Sequence, residues 1–311
     1  MDNTSILVLG AGELGMTVLR NLAQHPSRSS VETITVLLKP STIESKDRAK
    51  IRDIAELRLL GVEIIPGDLS ASVAELSGIF NRFHTVISCT GFVTGRGLQI
   101  KLVEAILNAR VKRYFPWQFG VDYDVIGRGS AQDLFDEQLD VRDRLRSQHK
   151  TEWVIISTGM FTSFLFEPSF GVVDLANSTV HALGSWKNAV TVTTPEDIGR
   201  LTAEICYYQP RIMNSVVYTG GDTITYGQLA DIIATISDNK VHRVEWSLRK
   251  LKADLVQDPD DVIKKYRVVF AEGNGVSWDI EKTFNAQQEL ETSDVIHWAN
   301  NHLITKSTLV K

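Results

Sequence analysis

A glycine-rich hexapeptide near the amino terminus constrains the fold of this chain more than any other segment. Residues 10–15 read GAGELG, after the apolar run Ser5–Leu9, which predicts a buried strand, and before residues 16–23, whose pattern predicts a helix. In that setting glycines let the backbone approach a pyrophosphate, and the helix amino terminus attracts its charge. The sequence predicts a dinucleotide site, with a ligand-free glycine turn as the alternative. The expected binding residues are Gly10, Gly12, Glu13, Leu14 and Gly15.

Strand and helix patterns alternate through the first half of the chain. Strands are predicted over Ser5–Leu9, Thr33–Leu38, 62–65, Thr85–Ser88, Arg113–Phe115 and 153–156. Helices are predicted between them, notably over 48–60, Leu98–Ala109 and 131–148. This alternation predicts an α/β fold with a Rossmann-type, doubly wound parallel sheet. Its ligand should lie at the carboxyl ends of the strands, near the point where the strand order reverses.

The second half of the chain is less regular. Helical patterns over Pro195–Tyr207, Tyr226–Ser237 and 292–302 mix with short strands over 216–219 and 243–245. We expect a smaller α+β lobe there, with some strands returning to extend the main sheet. The predicted division is a dinucleotide-binding domain over 1–158, extended by parts of 186–222, and a mainly substrate-binding lobe over 159–311.

Composition narrows the classes of partner. The 311 residues are 43% hydrophobic and 23% charged, as in soluble globular proteins, and the net charge of −5 argues against nucleic acid or an anionic membrane as a partner. Cys89 and Cys206 lie in apolar segments and form no disulfide framework or metal spacing, which favours a reducing compartment. The sequence has no apolar run long enough to span a membrane and no signal-peptide pattern, so we expect a cytoplasmic protein. We also expect a monomer or homodimer that binds a small-molecule substrate and no metal.

The end of the second predicted strand bears on the choice of nicotinamide cofactor. NAD sites carry an acid there that binds the ribose hydroxyls, whereas this chain has Lys39 and Ser41. A lysine beside hydroxyls suits a 2′-phosphate, so NADP(H) is favoured over NAD(H); the alternative is a solvated loop lysine. Lys50, which opens the next helix, is placed to reach the same phosphate. Asp68 follows the third strand, where such folds contact adenine, although a turn or helix-capping role is equally compatible.

One further segment indicates a family. Residues 111–122 (VKRYFPWQFGVD) are similar to the segment that ends in Phe-Pro-Ser-Glu-Phe-Gly in isoflavone reductase-like proteins, part of the NmrA-like group of atypical short-chain dehydrogenases. Residues 86–91 (VISCTG) resemble that family's fourth strand, and residues 157–161 (STGMF) look most like its fungal branch. The resemblance covers nearly the whole chain. It implies a Rossmann domain, NADPH, and a small aromatic or other secondary-metabolite substrate.

The resemblance also suggests site residues. The nicotinamide end of the cofactor would lie beside Thr90, Gly91, Phe92, Trp117 and Gln118. One wall of the substrate pocket would include Met160, Phe161, Phe164 and Phe166, for which plain core packing is an equal alternative.

One position departs from the family pattern. The plant reductases carry a lysine, thought to act as general acid or base, in a pattern resembling Phe-Asp-x-Lys-x-x-Val-Arg, and residues 135–142 here read FDEQLDVR, with Gln138 at the lysine. Helical periodicity places Gln138 on an apolar stripe with Val141 and Leu145, and Glu137 on the opposite, charged side. Gln138 then points inward, where it either lines the cofactor–substrate cleft or is satisfied by backbone.

A glutamine changes the available chemistry. An amide orients a carbonyl or hydroxyl but cannot perform acid–base catalysis near neutral pH. Any proton must therefore come from elsewhere, and Tyr123 and Asp122 are candidates, with loop or capping roles as their alternatives. Three functions remain open: an NADPH-dependent reductase of a small aromatic or heterocyclic metabolite, a redox-neutral isomerase or rearrangement enzyme on the same fold, and a non-catalytic dinucleotide-sensing regulator resembling NmrA.

Overall fold

The apolar run that precedes the glycine loop forms an inner strand of a seven-stranded sheet. The computed structural model describes residues 5–29, 32–91, 95–237 and 240–304. Within these residues the sheet contains, from one edge to the other, β11 (Ser215–Tyr218), β6 (Glu152–Ser157), β5 (Arg113–Phe115), β4 (Thr85–Ser88), β1 (Ser5–Leu9), β2 (Thr33–Leu38) and β3 (Glu63–Pro66).

Strand pairing gives this sheet its Rossmann-type topology. The pairs β1–β2, β2–β3, β1–β4, β4–β5 and β5–β6 are all parallel. The chain adds β2 and β3 on one side of β1 and then crosses to add β4 and β5 on the other, so the strand order reverses between β1 and β4. The predicted α/β fold class is confirmed, and so are the predicted limits of β1, β2, β4 and β5.

Helices follow the strands along the chain. Those associated with the main sheet are α1 (Glu13–Gln24), α2 (Pro40–Ile43), α3 (Arg48–Leu59), α4 (Val73–Phe80), α5 (Leu98–Ala109), α7 (Leu134–Arg146) and α9 (Pro195–Tyr207). The others are α6 (Tyr123–Ile126), α8 (Thr162–Leu165), α10 (Tyr226–Ser237), α11 (Leu248–Gln257), α12 (Val262–Glu272), α13 (Phe284–Gln287) and α14 (Val295–Ala299), with a 3₁₀ turn at Ile280–Lys282 and a π-helical turn at Asn300–Ile304. None of the helices in the described residues is long and apolar enough to cross a membrane.

Two small sheets complete the strands of the described chain. One orders β12 (Asp222–Thr225), β10 (Ala189–Thr193) and β7 (Met160–Phe161), and the other orders β13 (His242–Trp246), β9 (Thr179–Leu183) and β8 (Val173–Asp174).

The chain forms two compact units that are interleaved in sequence. The first comprises residues 1–118, 137–156 and 198–217, and the second comprises 119–136, 157–197 and 218–311. The predicted division, a dinucleotide-binding domain over 1–158 extended by parts of 186–222 and a lobe over 159–311, stays a prediction.

Burial in the core of the first unit explains why its strands could be predicted from the sequence. All five residues of β1 are buried. Leu7 and Leu9 pack in one cluster with Val86 of β4, Tyr114 of β5 and Leu145 of α7. Full burial of each large aliphatic side chain contributes about 1.5–3 kcal/mol relative to exposure. Strands buried on both faces read as continuous apolar runs.

The helix predicted over 292–302 begins later than expected. Asp294 accepts a hydrogen bond from the His297 backbone N–H at 2.6 Å, and its own backbone is extended, with ψ at 175°. This N-cap starts α14 at Val295, because the side chain satisfies a backbone donor that lacks a partner in the first helical turn.

The contact between Gly15 and Gly10 gives a prediction about stability. A Cβ on Gly15 would lie 2.3 Å from the backbone oxygen of Gly10, whereas a Cβ on Gly12 would meet nothing within 4 Å. Gly15→Ala should lower the free energy of unfolding by about 1–3 kcal/mol despite the better helix propensity of alanine. Gly12→Ala is the matched control and should unfold close to wild type. Urea denaturation measures both, and a wild-type midpoint for Gly15→Ala would contradict the contact.

Candidate functional site

A cavity of about 670 Å³ lies at the carboxyl ends of the first strands of the main sheet. Its wall includes the glycine loop after β1, the ends of β2 and β3, and the start of α5. The residues from these segments are Gly10, Ala11, Gly12, Leu37, Leu38, Lys39, Gly67, Asp68, Leu69, Ser70, Gly97 and Leu98. Parallel sheets bind ligands at this edge, beside the reversal of strand order.

The glycine loop shapes one wall of the cavity. Gly10 has a φ of +91°, and a Cβ there would lie 2.8 Å from Thr90 Oγ1. Gly12 is the N-cap of α1, makes no side-chain capping bond, and faces open space. A side chain at Gly12 would occupy that space, so the loop leaves room for a ligand at the amino terminus of α1. Of the other predicted cradle residues, Glu13 is exposed, whereas Leu14 and Gly15 are buried in α1.

Four basic side chains line the cavity. Lys39 and Lys50 line it, as the sequence predicts, and they are joined by Arg96 and Lys101. Two acids, Asp53 and Asp68, also line it, so basic side chains outnumber acidic ones. Sequence reasoning missed Arg96 and Lys101, because they follow β4 and carry no motif that links them to the end of β2. Of the predicted hydroxyl neighbours, Ser41 is exposed, and Thr42 rather than Ser41 lines the cavity.

Asp68 has a turn role and also faces the cavity. Its Oδ1 accepts a hydrogen bond from the Ser70 backbone N–H at 2.8 Å and lies 3.8 Å from Lys39 Nζ. Hydrogen bonds from Ser70 lower the pKa of Asp68, and the charges of Lys39 and Lys101 lower it further. Asp68 therefore stays ionised and helps to hold Lys39 at the edge of the cavity.

The residues predicted at the nicotinamide end lie near the end of β4. Thr90 lines the cavity, and its hydroxyl donates to the Leu9 backbone oxygen at 3.0 Å. A Cβ on Gly91 would lie 2.8 Å from the Trp117 indole, so the ring packs directly against the Gly91 backbone. Phe92 lies outside the described residues.

A hydrogen-bond network joins three completely buried side chains, that of Gln118 shortly after β5 and those of Gln138 and Arg142 in α7. Arg142 Nε donates to Gln118 Oε1 at 2.6 Å. Gln118 Nε2 donates to the backbone oxygen of Gln138 at 2.8 Å and to Gln138 Oε1 at 3.0 Å. Gln138 Nε2 is buried and has no hydrogen-bond partner among the described residues. A buried donor without a partner costs about 1–3 kcal/mol, so this amide group is a candidate for contact with a bound molecule or an ordered water.

Glu137 corrects one sequence expectation. Helical periodicity predicts that Glu137 lies on the charged, outer face of its helix, but only 8% of the residue is exposed. Its carboxylate accepts hydrogen bonds from the backbone N–H groups of Gly97 and Gln99, both at 2.8 Å. It caps the amino terminus of α5, where a negative charge is favourable. A helical wheel cannot detect this role because the partner helix lies about forty residues away in sequence.

The two candidate proton donors belong to the second unit. Asp122 is the N-cap of α6, accepts from the Asp124 and Val125 backbone, and accepts from the Tyr218 hydroxyl at 2.7 Å. Tyr123 is 3% exposed, and its ring meets Phe135 edge-on at 4.9 Å. The structure therefore gives Asp122 a capping role, and the catalytic roles of both residues stay predictions.

The candidate substrate residues follow β6 and fall into different environments of the second unit. Met160 is buried in β7, next to half-buried Phe161. Phe164 packs against Phe170 at 4.7 Å and against Tyr266 at 5.8 Å. Phe166 instead stacks on Trp298 at 4.7 Å, outside that cluster.

Tyr266 was not found by sequence reasoning. It lies in α12, about a hundred residues beyond Phe164, and its ring also meets Phe135 edge-on at 5.8 Å. Burial raises its pKa to about 12, so the phenol stays protonated at neutral pH. Within the described residues, no group of three or more His, Cys, Asp or Glu residues is arranged to hold a metal.

The sheet order and the glycine-walled cavity define a Rossmann-type α/β protein, and comparison with known proteins identifies the family. Residues 2–298 match the model of the NmrA-like family, to which the chain belongs. An NmrA-like family domain-containing oxidoreductase of Gibberella moniliformis is 46% identical over 92% of this chain and 94% of that protein. The predicted family is confirmed.

Solved structures share the fold. Isoflavone reductase matches with a TM-score of 0.79 at 18% identity, over 97% of this chain and 100% of the other. AtPrR2 with NADP⁺ and (+)pinoresinol matches with a TM-score of 0.77 at 19% identity, again over 97% and 100%. Both structures therefore resemble this protein in fold over nearly their whole length.

The capping role of Glu137 can be tested by substitution. Glu137→Ala removes the acceptor for the N–H groups of Gly97 and Gln99 and should lower the free energy of unfolding by about 1–2 kcal/mol. Glu63→Ala, at an exposed glutamate of β3, is the control and should stay within about 0.5 kcal/mol of wild type. Denaturant unfolding compares the two, and equal midpoints would disprove the cap.

Proposed function

We propose that this protein is an NADP(H)-dependent reductase of a small aromatic or heterocyclic metabolite. The observation that carries the proposal is the cavity formed by the glycine loop and Lys39. The glycine loop leaves space in which a pyrophosphate can approach the backbone. Lys39 lies at the end of β2, where an NAD site would carry an acidic residue.

The residues present fit NADP(H). Open space at Gly12 and the amino terminus of α1 suit the pyrophosphate, and Lys39, Lys50 and Lys101 suit a 2′-phosphate that carries nearly two negative charges. The acids Asp53 and Asp68 offset part of the positive charge of this edge. We therefore assign cofactor binding to the cavity residues, with Lys39 as the main determinant of phosphate selectivity.

The residues that we assign to the nicotinamide end of the cofactor bind and orient the cofactor and the substrate, and they do not transfer protons. When bound, the cofactor supplies a hydride to an electrophilic carbon of the substrate. We assign Thr90, Gly91, Phe92, Trp117 and Gln118 to the nicotinamide end, and Gln138 to orientation of a substrate or ribose oxygen. Met160, Phe161, Phe164 and Phe166 are the proposed substrate wall.

The proton needed for reduction requires a different group. Gln138 cannot release a proton near neutral pH. Tyr123 is the proposed donor, and Asp122 is the second candidate, although hydrogen bonds from Tyr218 and the α6 backbone already engage its carboxylate.

The comparisons support the reductase class. The 46% identical relative is described as an oxidoreductase. The structural neighbours include a reductase of isoflavones and a protein with both NADP⁺ and (+)pinoresinol bound. Isoflavones and pinoresinol, the compounds that these names give, are aromatic, and this supports an aromatic or heterocyclic substrate here.

Selectivity for the 2′-phosphate can be measured directly. The protein should bind NADPH more tightly than NADH, and Lys39→Ala should weaken NADPH binding about tenfold or more by removing a charge-assisted contact. NADH binding by the same variant should change little. Lys112→Ala, at an exposed lysine away from the cavity, controls for overall charge. Equal affinity of the wild-type protein for the two cofactors in calorimetry would contradict this assignment.

Turnover separates the reductase from the other two functions. We expect the protein to consume NADPH in the presence of at least one member of a panel of aromatic enones, quinones and benzylic ethers, with a reduced product found by mass spectrometry. Binding of NADPH without consumption or product across the panel would favour a dinucleotide-sensing regulator. A product of unchanged mass would favour an isomerase.

A further inference from the structure

We infer that Gln138 contacts a bound ligand as a hydrogen-bond donor and not as an acceptor, through its Nε2 to an oxygen of that ligand. Gln118 and Arg142 are positioning residues that fix this polarity. The inference rests on the proposed function, because it assigns the ligand atom that Gln138 recognises. The acceptor is either a substrate carbonyl or an oxygen of the cofactor.

The orientation of the Gln118 amide is fixed at both ends. A guanidinium can only donate hydrogen bonds, so the Gln118 atom 2.6 Å from Arg142 Nε must be its oxygen. A backbone carbonyl can only accept, so the Gln118 atom 2.8 Å from the Gln138 backbone oxygen must be its nitrogen. Two independent neighbours therefore give the same orientation of the Gln118 amide.

This orientation determines that of Gln138. The second hydrogen of Gln118 Nε2 points to the Gln138 side chain at 3.0 Å, which must therefore present its oxygen there. Gln138 Nε2 is left as the atom without a partner among the described residues, and the side chain is completely buried. Its partner must be an acceptor that is equally shielded from bulk water.

The chemistry of the acceptor follows from this polarity. An amide N–H pairs with a carbonyl, ether or hydroxyl oxygen and disfavours a group that can only donate. The Gln138 amide supplies this donor without a proton that it could transfer near neutral pH. Ligands that carry an oxygen toward Gln138 are therefore preferred over isosteres that lack it.

Two substitutions change the polarity with little change in shape. Gln138→Glu replaces the donor with a carboxylate oxygen. Gln118→Glu leaves residue 138 intact but removes the N–H groups that hold its oxygen, so the Gln138 amide turns Nε2 toward the introduced carboxylate and presents Oε1 to the ligand. Gln24→Glu makes the same chemical change at an exposed site and is the control.

The probes are NADP⁺ alone and, with NADP⁺ present, flavanone and flavan, which differ by one carbonyl group. Calorimetry measures each affinity. If the acceptor is a substrate carbonyl, wild type and Gln24→Glu should prefer flavanone, and both network variants should lose that preference by about tenfold. If the acceptor belongs to the cofactor, both network variants should instead bind NADP⁺ about tenfold more weakly. Unfolding curves show whether each variant is folded, and Gln138→Leu, which removes the donor without adding charge, replaces any variant that is not.

The outcomes separate this inference from the proposed function. Changes of less than about twofold for every probe in both network variants would overturn the donor role and leave an ordered water as the partner of Nε2. A network that serves only stability would move the unfolding midpoint without changing these ratios. Failure of the wild-type protein to bind NADP⁺ would instead overturn the proposed function.

Discussion

The close approach of α1 to the backbone of Gly10 is the contact on which the rest of this structure depends. Because Gly15 has no side chain, the first turn of α1 lies against the end of β1, with its amino terminus directed to the carboxyl edge of the sheet. That placement leaves the cavity wall made of backbone at Gly10 and Gly12. The ends of β2 and β3 line the same cavity because parallel strands finish at the same edge, and residues of α3 and the start of α5 complete its lining.

The cavity and the buried amide network have different roles in the proposed function. The cavity offers positive charge and backbone donors, which suit the phosphates of a dinucleotide. The network offers one oriented N–H group and no group that titrates near neutral pH at Gln138 or Gln118. A site of this kind recognises and orients a reactant, while the proton must come from another residue or from water.

The parts of the fold that could be predicted are those in which local sequence and burial agree. β1 and β2 have their predicted limits because each is an apolar run that ends beside a turn-forming residue, Gly10 after β1 and Pro40 shortly after β2. Glu137 was misplaced because its partner is the amino terminus of another helix, and no periodicity reports that contact. Lys101 and Tyr266 could not be predicted from the sequence. Only the tertiary fold brings Lys101 near Asp68 and Tyr266 against Phe164. Gln138 was correctly predicted to point inward, but its Gln118 partner could not be read from the sequence.

A crystal structure of the complex with NADP⁺ tests the central claim most directly. The account predicts the pyrophosphate at the glycine loop and the 2′-phosphate within ion-pairing distance of Lys39. Density that places the adenosine away from the cavity, or the 2′-phosphate away from Lys39, would contradict it.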